Sequence, residues 1–312
     1  MARYVVRRIL YAVPILLGVV LITFFLFYIV ISPQQMARRQ LGKNPTDEQV
    51  HQWLHQRGYD KPVVLQFKDH VVDLFLFRFG NSDVTNEPIW KRIKEGGPVS
   101  AQLSLLLLIG GLIGSISVSL FVAYYRGTYI DYWGMFLCVL MMSIVYIVWV
   151  VAGQYLLGKI LKYSPLVGYR EGWTSWHFLM LPVVIGILQG LGSSVRFYRT
   201  VMLDEMNLDY VRTARAKGVS EVAILFKHVL KNAMTPILTS TVSIIPQLIL
   251  GNLVLESFFG IPGLGGITVD AVNSQDFATV RAITFLGAVL YIAGLILTDV
   301  SYALFDPRVR LE

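Results

Sequence analysis

Residues 209–221 read DYVRTARAKGVSE, a short basic segment set between two strongly apolar regions. Its surroundings decide the fold. The chain has 312 residues, 55% of them hydrophobic and only 15% charged, and it carries repeated apolar runs near twenty residues, the length that crosses a bilayer core as a helix. An all-α, polytopic membrane protein is expected. Six spans are predicted, at about 9–31, 99–125, 133–157, 178–195, 234–255 and 281–305. The first follows Arg3, Arg7 and Arg8 as the apolar part of a secretory leader would. A run of 23 residues reaches about 34 Å as a helix, and no small-x-small cleavage site comes before Ser32-Pro33. It reads as a retained first span.

Six spans put both termini on one side of the membrane. Lys and Arg number three before the first span, one in 126–132, seven in 196–233 and two after the last span, against three in 158–177 and none in 256–280. Basic residues collect on cytoplasmic loops, so the termini and 196–233 are expected in the cytoplasm. The net charge of +7 follows from this bias and requires no nucleic acid. Segment 32–98 holds ten basic and eight acidic residues, and a segment of this length is translocated whatever its charge. It is expected outside, as a small folded cap. The layout is then a first segment and span over 1–31, an extracytoplasmic segment over 32–98, a five-helix core over 99–305 that includes the loop 196–233, and a tail over 306–312. Cys138 lies within an apolar run and allows neither an internal disulfide nor a multi-cysteine metal site.

Within 209–221, Asp209 is placed to cap a helix and Gly218 to end it in a left-handed conformation. Tyr210, Ala214 and Gly218 fall on one line at spacing four, with Arg212, Arg215 and Lys217 over the rest. Thr213 and Ala216 complete the helix. Ser220 is placed to cap a second helix, in which Val222, Leu225, Phe226, Val229 and Leu230 recur at helical spacing opposite Lys227 and Lys231. The first helix is thereby held out as a rigid knob that suits a groove on a cytoplasmic partner. The blander reading makes these residues positive-inside anchors.

Other motifs carry less. Residues 153–160, GQYLLGKI, nearly spell the phosphate-binding loop, but Ile160 stands where a hydroxyl must hold magnesium and no soluble strand precedes it. The chain is not expected to bind ATP. His51 and His55 are four apart and could share a helix face, but they lack a third ligand and read as a solvated surface. No nucleophile–base or paired-carboxylate arrangement stands out, which argues against an embedded hydrolase. Gln154, Gln189, Gln247 and Asn252 are polar groups in or near spans and candidates to line a wet pathway. Asp299 lies in the last span, where a lone charge is costly, so it should face the bundle or an interface. The turn-rich, apolar stretch after Glu256, SFFGIPGLGG, is expected to dip back against the outer membrane surface. An ion-coupled secondary transporter would call for paired intramembrane charges and inverted repeats. Asp299 is nearly alone and no such repeat is visible.

The stretch Tyr210-Val211-Arg212-Thr213-Ala214-Arg215-Ala216-Lys217-Gly218 closely resembles the EAA loop of the peptide and nickel branch of ABC importer permeases. Arg212 and Thr213 replace the Glu and Ala of the broad pattern, as is common in that branch. The resemblance extends over nearly the whole chain: Arg7-Arg8 running into a proline-bearing span, Gly80-Asn81-Ser82, Pro88-Ile89, Pro262-Gly263-Leu264-Gly265 and Asp306-Pro307-Arg308. It departs at Val145-Tyr146, where relatives often have a proline, and near Gly294, where many have an Asn. What the resemblance implies is a type I ABC importer permease-like fold with six transmembrane helices, in a bacterial or archaeal plasma membrane. It implies a coupling helix at Arg212 to Gly218 seated on an ATP-hydrolysing subunit. The partners it implies are a homologous second permease, two cytoplasmic ATPase subunits that hold ATP and magnesium, and an extracytoplasmic solute-binding protein. Surrounding lipid is the remaining contact, and no cofactor is implied in this chain. The implied cargo is a di- or oligopeptide, with nickel chelates and oligosaccharides as alternatives. Glu256, Gly263 and Gly265 fall where such permeases receive substrate from the binding protein.

Overall fold

A computed structural model of the chain describes residues 2–31, 33–42, 45–162, 164–170, 172, 175–246 and 251–305. Gln247 and the Asp306-Pro307-Arg308 motif lie outside the described residues.

Secondary structure among the described residues is helical, with one isolated antiparallel bridge between Asn81 and Pro88. Four helices are long and apolar enough to cross a membrane. They are α1 (Ala2–Phe24, continued by a π-turn over Phe25–Val30), α5 (Ile89–Tyr124), α8 (Ser175–Met206) and α14 (Phe277–Phe305). Between α1 and α5 come three short helices, α2 (Pro33–Gln40), α3 (Asp47–Gln56) and α4 (Val63–Phe75). The start of α3 follows from sequence: Thr46 accepts from the Gln49 N–H while the Gln49 side chain accepts from the Thr46 N–H, a reciprocal capping box.

The predicted third span is broken. It forms α6 (Tyr129–Ser143) and α7 (Tyr146–Gly153, continued by a π-turn over Gln154–Ile160), bent by 97°. Ile144 and Val145 are extended at the break, so the kink forms although no proline stands there. A second bent pair follows the loop, α12 (Leu253–Phe259) and α13 (Leu264–Asn273), which meet at 76°. Gly260 ends α12 in the left-handed region, at φ +60°. With each bent pair counted as one span, the spans number up to six. Within the expected fifth span at 234–255, α11 (Leu230–Val242) gives way to a turn at Ser243 and Ile244, and Ile245 and Pro246 are helical again. The apolar run reads as one span by composition, while the helix is interrupted at that turn.

Packing explains why α5 and α8 form the spine. Gly186 of α8 lies against Leu107 of α5, and a Cβ at Gly192 would stand 2.6 Å from the carbonyl of Cys138 on α6. Small residues allow membrane helices to approach this closely. One buried cluster joins Val99 and Leu103 of α5, Leu179 and Ile185 of α8, and Leu255 and Phe259 of α12. At the far end of α5, Leu120 and Ala123 pack with Tyr198 and Met202 of α8 and with the loop helices described next. The outward faces keep large apolar side chains such as Leu21, Phe136 and Leu137 exposed, as a lipid-facing surface requires.

Candidate functional site

The loop between α8 and α11 folds into α9 (Asp209–Ala216), then α10 (Glu221–Ala223), then a π-turn over Ile224–Val229. Leu208, not Asp209, occupies the N-cap of α9. Asp209 is the first helical residue and its carboxylate meets Arg212 at 3.3 Å. The C-terminus forms as its sequence predicts. Gly218 sits at φ +76°, its N–H donates to the Arg215 carbonyl at 2.9 Å, and the Val219 N–H donates to the Ala214 carbonyl at 3.2 Å. These two bonds make a Schellman motif. Ser220 then accepts from the Ala223 N–H, so its predicted cap is observed.

Helix α9 turns part of that line inward. Val211 and Ala214 are buried in the cluster with Leu120, Tyr198, Met202 and Ile224, and Tyr210 packs against it. Tyr210 donates to Glu205 at 2.6 Å, and burial together with that carboxylate raises the phenol above its ordinary range. The small-residue strip therefore seats α9 on its own chain. What α9 offers outward is Arg212, Thr213, Arg215, Ala216 and Lys217, with Gly218 at its tip. Arg215 makes a two-pronged pair with Glu221, at 2.7 and 3.1 Å, which lowers the carboxyl of Glu221 and raises the guanidinium. The next helix also turns differently than expected. Ile224, Leu225 and Val229 are buried while Val222 and Phe226 are exposed. The π-turn explains this, because it brings Ile224 and Val229, five apart, onto one face.

Two further braces escaped sequence reading. Arg199 of α8 grips Asp131 of α6 through two bonds, 2.7 and 2.6 Å, and Arg126 donates to Asn207 at 3.1 Å. The first clamps α8 to α6, and the second ties the turn before α9 to Arg126. An acid and a base at opposite ends of separate spans gave no spacing to find them by.

A cleft of about 520 Å³ opens between α5, α8 and α11, with Tyr146 and Asn252 at its edge. Gln189, Ser193, Ser194 and Thr241 supply polar lining to otherwise apolar walls. Gln189 and Asn252, both candidates from the sequence, line this cleft. Gln154 lies outside the cleft lining and donates to the carbonyls of Leu166 and Phe258, tying the end of the broken span to the loop after it and to α12.

Glu256 is fully buried. Its carboxylate accepts from the Ser100 hydroxyl at 2.8 Å and from the N–H groups of Asn252, Gly265 and Gly266 at 3.0, 2.7 and 3.1 Å. Ser100 in turn accepts from the Leu264 N–H at 2.7 Å. Gly263 and Gly265 have a steric role here: a Cβ at Gly263 would collide with the carboxylate, and one at Gly265 would come within 2.9 Å of it. One acid therefore ties α12, the start of α13 and α5 into a single unit. Asp299 pairs with Arg8 of α1 at 2.9 Å, clamping the first helix to the last; it lies outside the cleft.

The fold and this geometry define a class: a polytopic helical membrane protein with a partly polar cleft among its helices and a braced basic helix at one end. Residues 115–311 match the family model of the binding-protein-dependent transport system inner membrane component, and residues 1–104 match the N-terminal model of such membrane components. The chain belongs to that family of transport permease subunits. A permease protein of Brucella abortus (strain 2308), provisionally assigned to a peptide transport system, is 32% identical over 318 residues, 100% of both chains. The dipeptide transport system permease protein DppB of Lactococcus lactis subsp. cremoris (strain MG1363) is 31% identical over 316 residues, again 100% of both. The oligopeptide transport system permease protein AppB of Bacillus subtilis (strain 168) is 30% identical over 317 residues, 99% of this chain and 100% of that one.

Proposed function

We propose that this chain forms one wall of the translocation pathway of an ATP-driven importer of peptides. Its relatives are named for dipeptide and oligopeptide systems, and full-length similarity supports the same cargo class here. The observation that carries the reading is α9, a short basic helix seated by Val211 and Ala214 on a rigid core, with Arg212, Thr213, Arg215, Ala216 and Lys217 facing out. A knob fixed in this way transmits a push to α8 and α5. In this reading it docks on a cytoplasmic ATPase subunit, one of two, which hold the ATP and magnesium. A homologous second permease supplies the other wall of the cleft lined by Gln189 and Asn252. A solute-binding protein delivers peptide on the outer side, both termini lie in the cytoplasm, and segment 32–98 caps the outer face.

The test is uptake in sealed vesicles that hold the full complex. Peptide accumulation should require ATP and persist when ion gradients are collapsed. Accumulation without ATP, driven by a proton or sodium gradient, would refute the reading in favour of an ion-coupled carrier.

A further inference from the structure

At the end of α5 opposite α9, a cavity of about 440 Å³ lies where α3 and α4 meet the start of α14. Tyr28, from the last turn of the first span, and Arg281, from the first turns of the last span, both line it. The cavity is therefore at the membrane border. Two of its buried polar atoms, Nε2 of His70 and one terminal guanidinium nitrogen of Arg281, have no hydrogen-bond partner. His70 is only 6% exposed. A buried donor left without an acceptor is destabilising, more so when charged.

The charge balance points to the missing acceptor. Arg57 is paired with Asp83 at 3.2 Å, and Lys61 with Asp69 at 2.6 Å. No carboxylate lies within 4.0 Å of Arg281 or Arg78 among the described residues. The guanidinium of Arg281 rests instead over the Tyr28 ring, 5.0 Å from its centre. On the acid side only Asp73 remains, against Arg78 and Arg281. The burial of His70 and its nearness to Arg281 push its imidazole down to about 3, so the ring is neutral and can donate from Nε2 without adding charge.

We infer that this cavity binds a phosphate oxyanion at the membrane border, with Arg281 and Arg78 supplying charge and His70 a neutral donor. The oxyanion comes either from a phospholipid headgroup or from free phosphate. This inference does not depend on the nature of the cargo.

The experiment uses the purified full-length chain, with whatever subunits accompany it, stripped of lipid in detergent. Its unfolding midpoint and native mass spectrum are followed during titration with phosphatidylglycerol, with diacylglycerol of the same acyl chains, and with inorganic phosphate. Saturable stabilisation is expected from phosphatidylglycerol or phosphate and not from diacylglycerol. Arg281→Gln should weaken the apparent affinity about tenfold or more, as loss of a charge-assisted hydrogen bond would. Arg78→Gln, at a position that leaves the buried cluster intact, should weaken it several-fold and keeps the test valid if Arg281→Gln does not fold. Stronger binding of phosphatidylglycerol assigns the headgroup, and equal or stronger binding of phosphate assigns the free ion. Equal binding of diacylglycerol, or unchanged affinity in the Arg78→Gln protein, overturns the site.

Discussion

At the scale of single residues, buried carboxylates decide how the connections between spans are held. Asp276 is 1% exposed and accepts from the Asp83 N–H at 2.9 Å, from the Thr279 hydroxyl at 2.6 Å and from the Ser82 hydroxyl. Burial alone would raise its carboxyl above the ordinary 3.8, but these donors together hold it lower. A depressed folded value means the stabilisation is present above the ordinary carboxylate range and is lost as pH falls through the folded value. Acid titration followed by proteolysis near residue 83 should therefore show this region loosening below about pH 4, and Asp276→Asn should show it already loosened at neutral pH. Identical protection of variant and wild type at neutral pH would discount the knot. In the spans, Glu256 is likewise held by several donors. Its four donors would be left facing an amide in Glu256→Gln, and bonds to a charged acceptor are worth about 1.5–3 kcal/mol each. The expected result is a clearly lowered unfolding midpoint. Ser100→Ala should lower it by a smaller amount, because only one of the four donors to Glu256 goes, although the Leu264 N–H loses its acceptor with it. An unchanged midpoint in both variants would show that the buried carboxylate does not hold the bent pair. None of these partnerships was legible in the sequence: Ser82 with Asp276 and Ser100 with Glu256 join residues far apart in the chain, and single-chain spacing carries no such information.

At the scale of elements, local chemistry was legible and orientation was not. The Ser220 cap and the Gly218 terminus formed where residue type requires them, because each depends on a few neighbouring backbone groups. The facing of α9 is not fixed by its own sequence, since Tyr210, Ala214 and Gly218 form a line whichever way the helix is turned, and the core beneath it decides. Spans follow from apolar length, but the break at 143–146 does not, because an apolar run looks the same bent or straight. The seating of α9 yields a prediction. Gly218→Val forces a β-branched residue into the left-handed region at a cost of about 1–2 kcal/mol, and it should slow coupled uptake without preventing membrane insertion. Gly218→Pro, or deletion of 210–218, should abolish uptake while the chain still reaches the membrane. Vesicle transport and membrane fractionation together check this. Normal uptake by the deletion would remove α9 from the coupling route.

At the scale of the whole molecule, the distribution of rigidity suggests how a permease of this family moves. Asp299 with Arg8 clamps α1 to α14, Arg199 with Asp131 clamps α6 to α8, and Glu256 fixes the bent pair to α5. The cleft lined by Gln189 and Asn252 lies among these clamped units, and a single chain encloses only part of it. Packed elements of this kind move as rigid bodies between discrete arrangements. A push on α9 should then change the access of water to the cleft as a whole, with little change within each clamped unit. Gln189→Cys in a Cys138→Ala background gives one thiol in the cleft. Its labelling by a membrane-impermeant maleimide, added on one side of vesicles holding the assembled transporter, should change several-fold when ATP is bound. The change should vanish when 210–218 is deleted and should survive Lys68→Ala, a substitution remote from the route. Labelling that ignores ATP in the intact assembly would mean that the cleft is not the part of the molecule that alternates, and the pathway would have to be sought elsewhere.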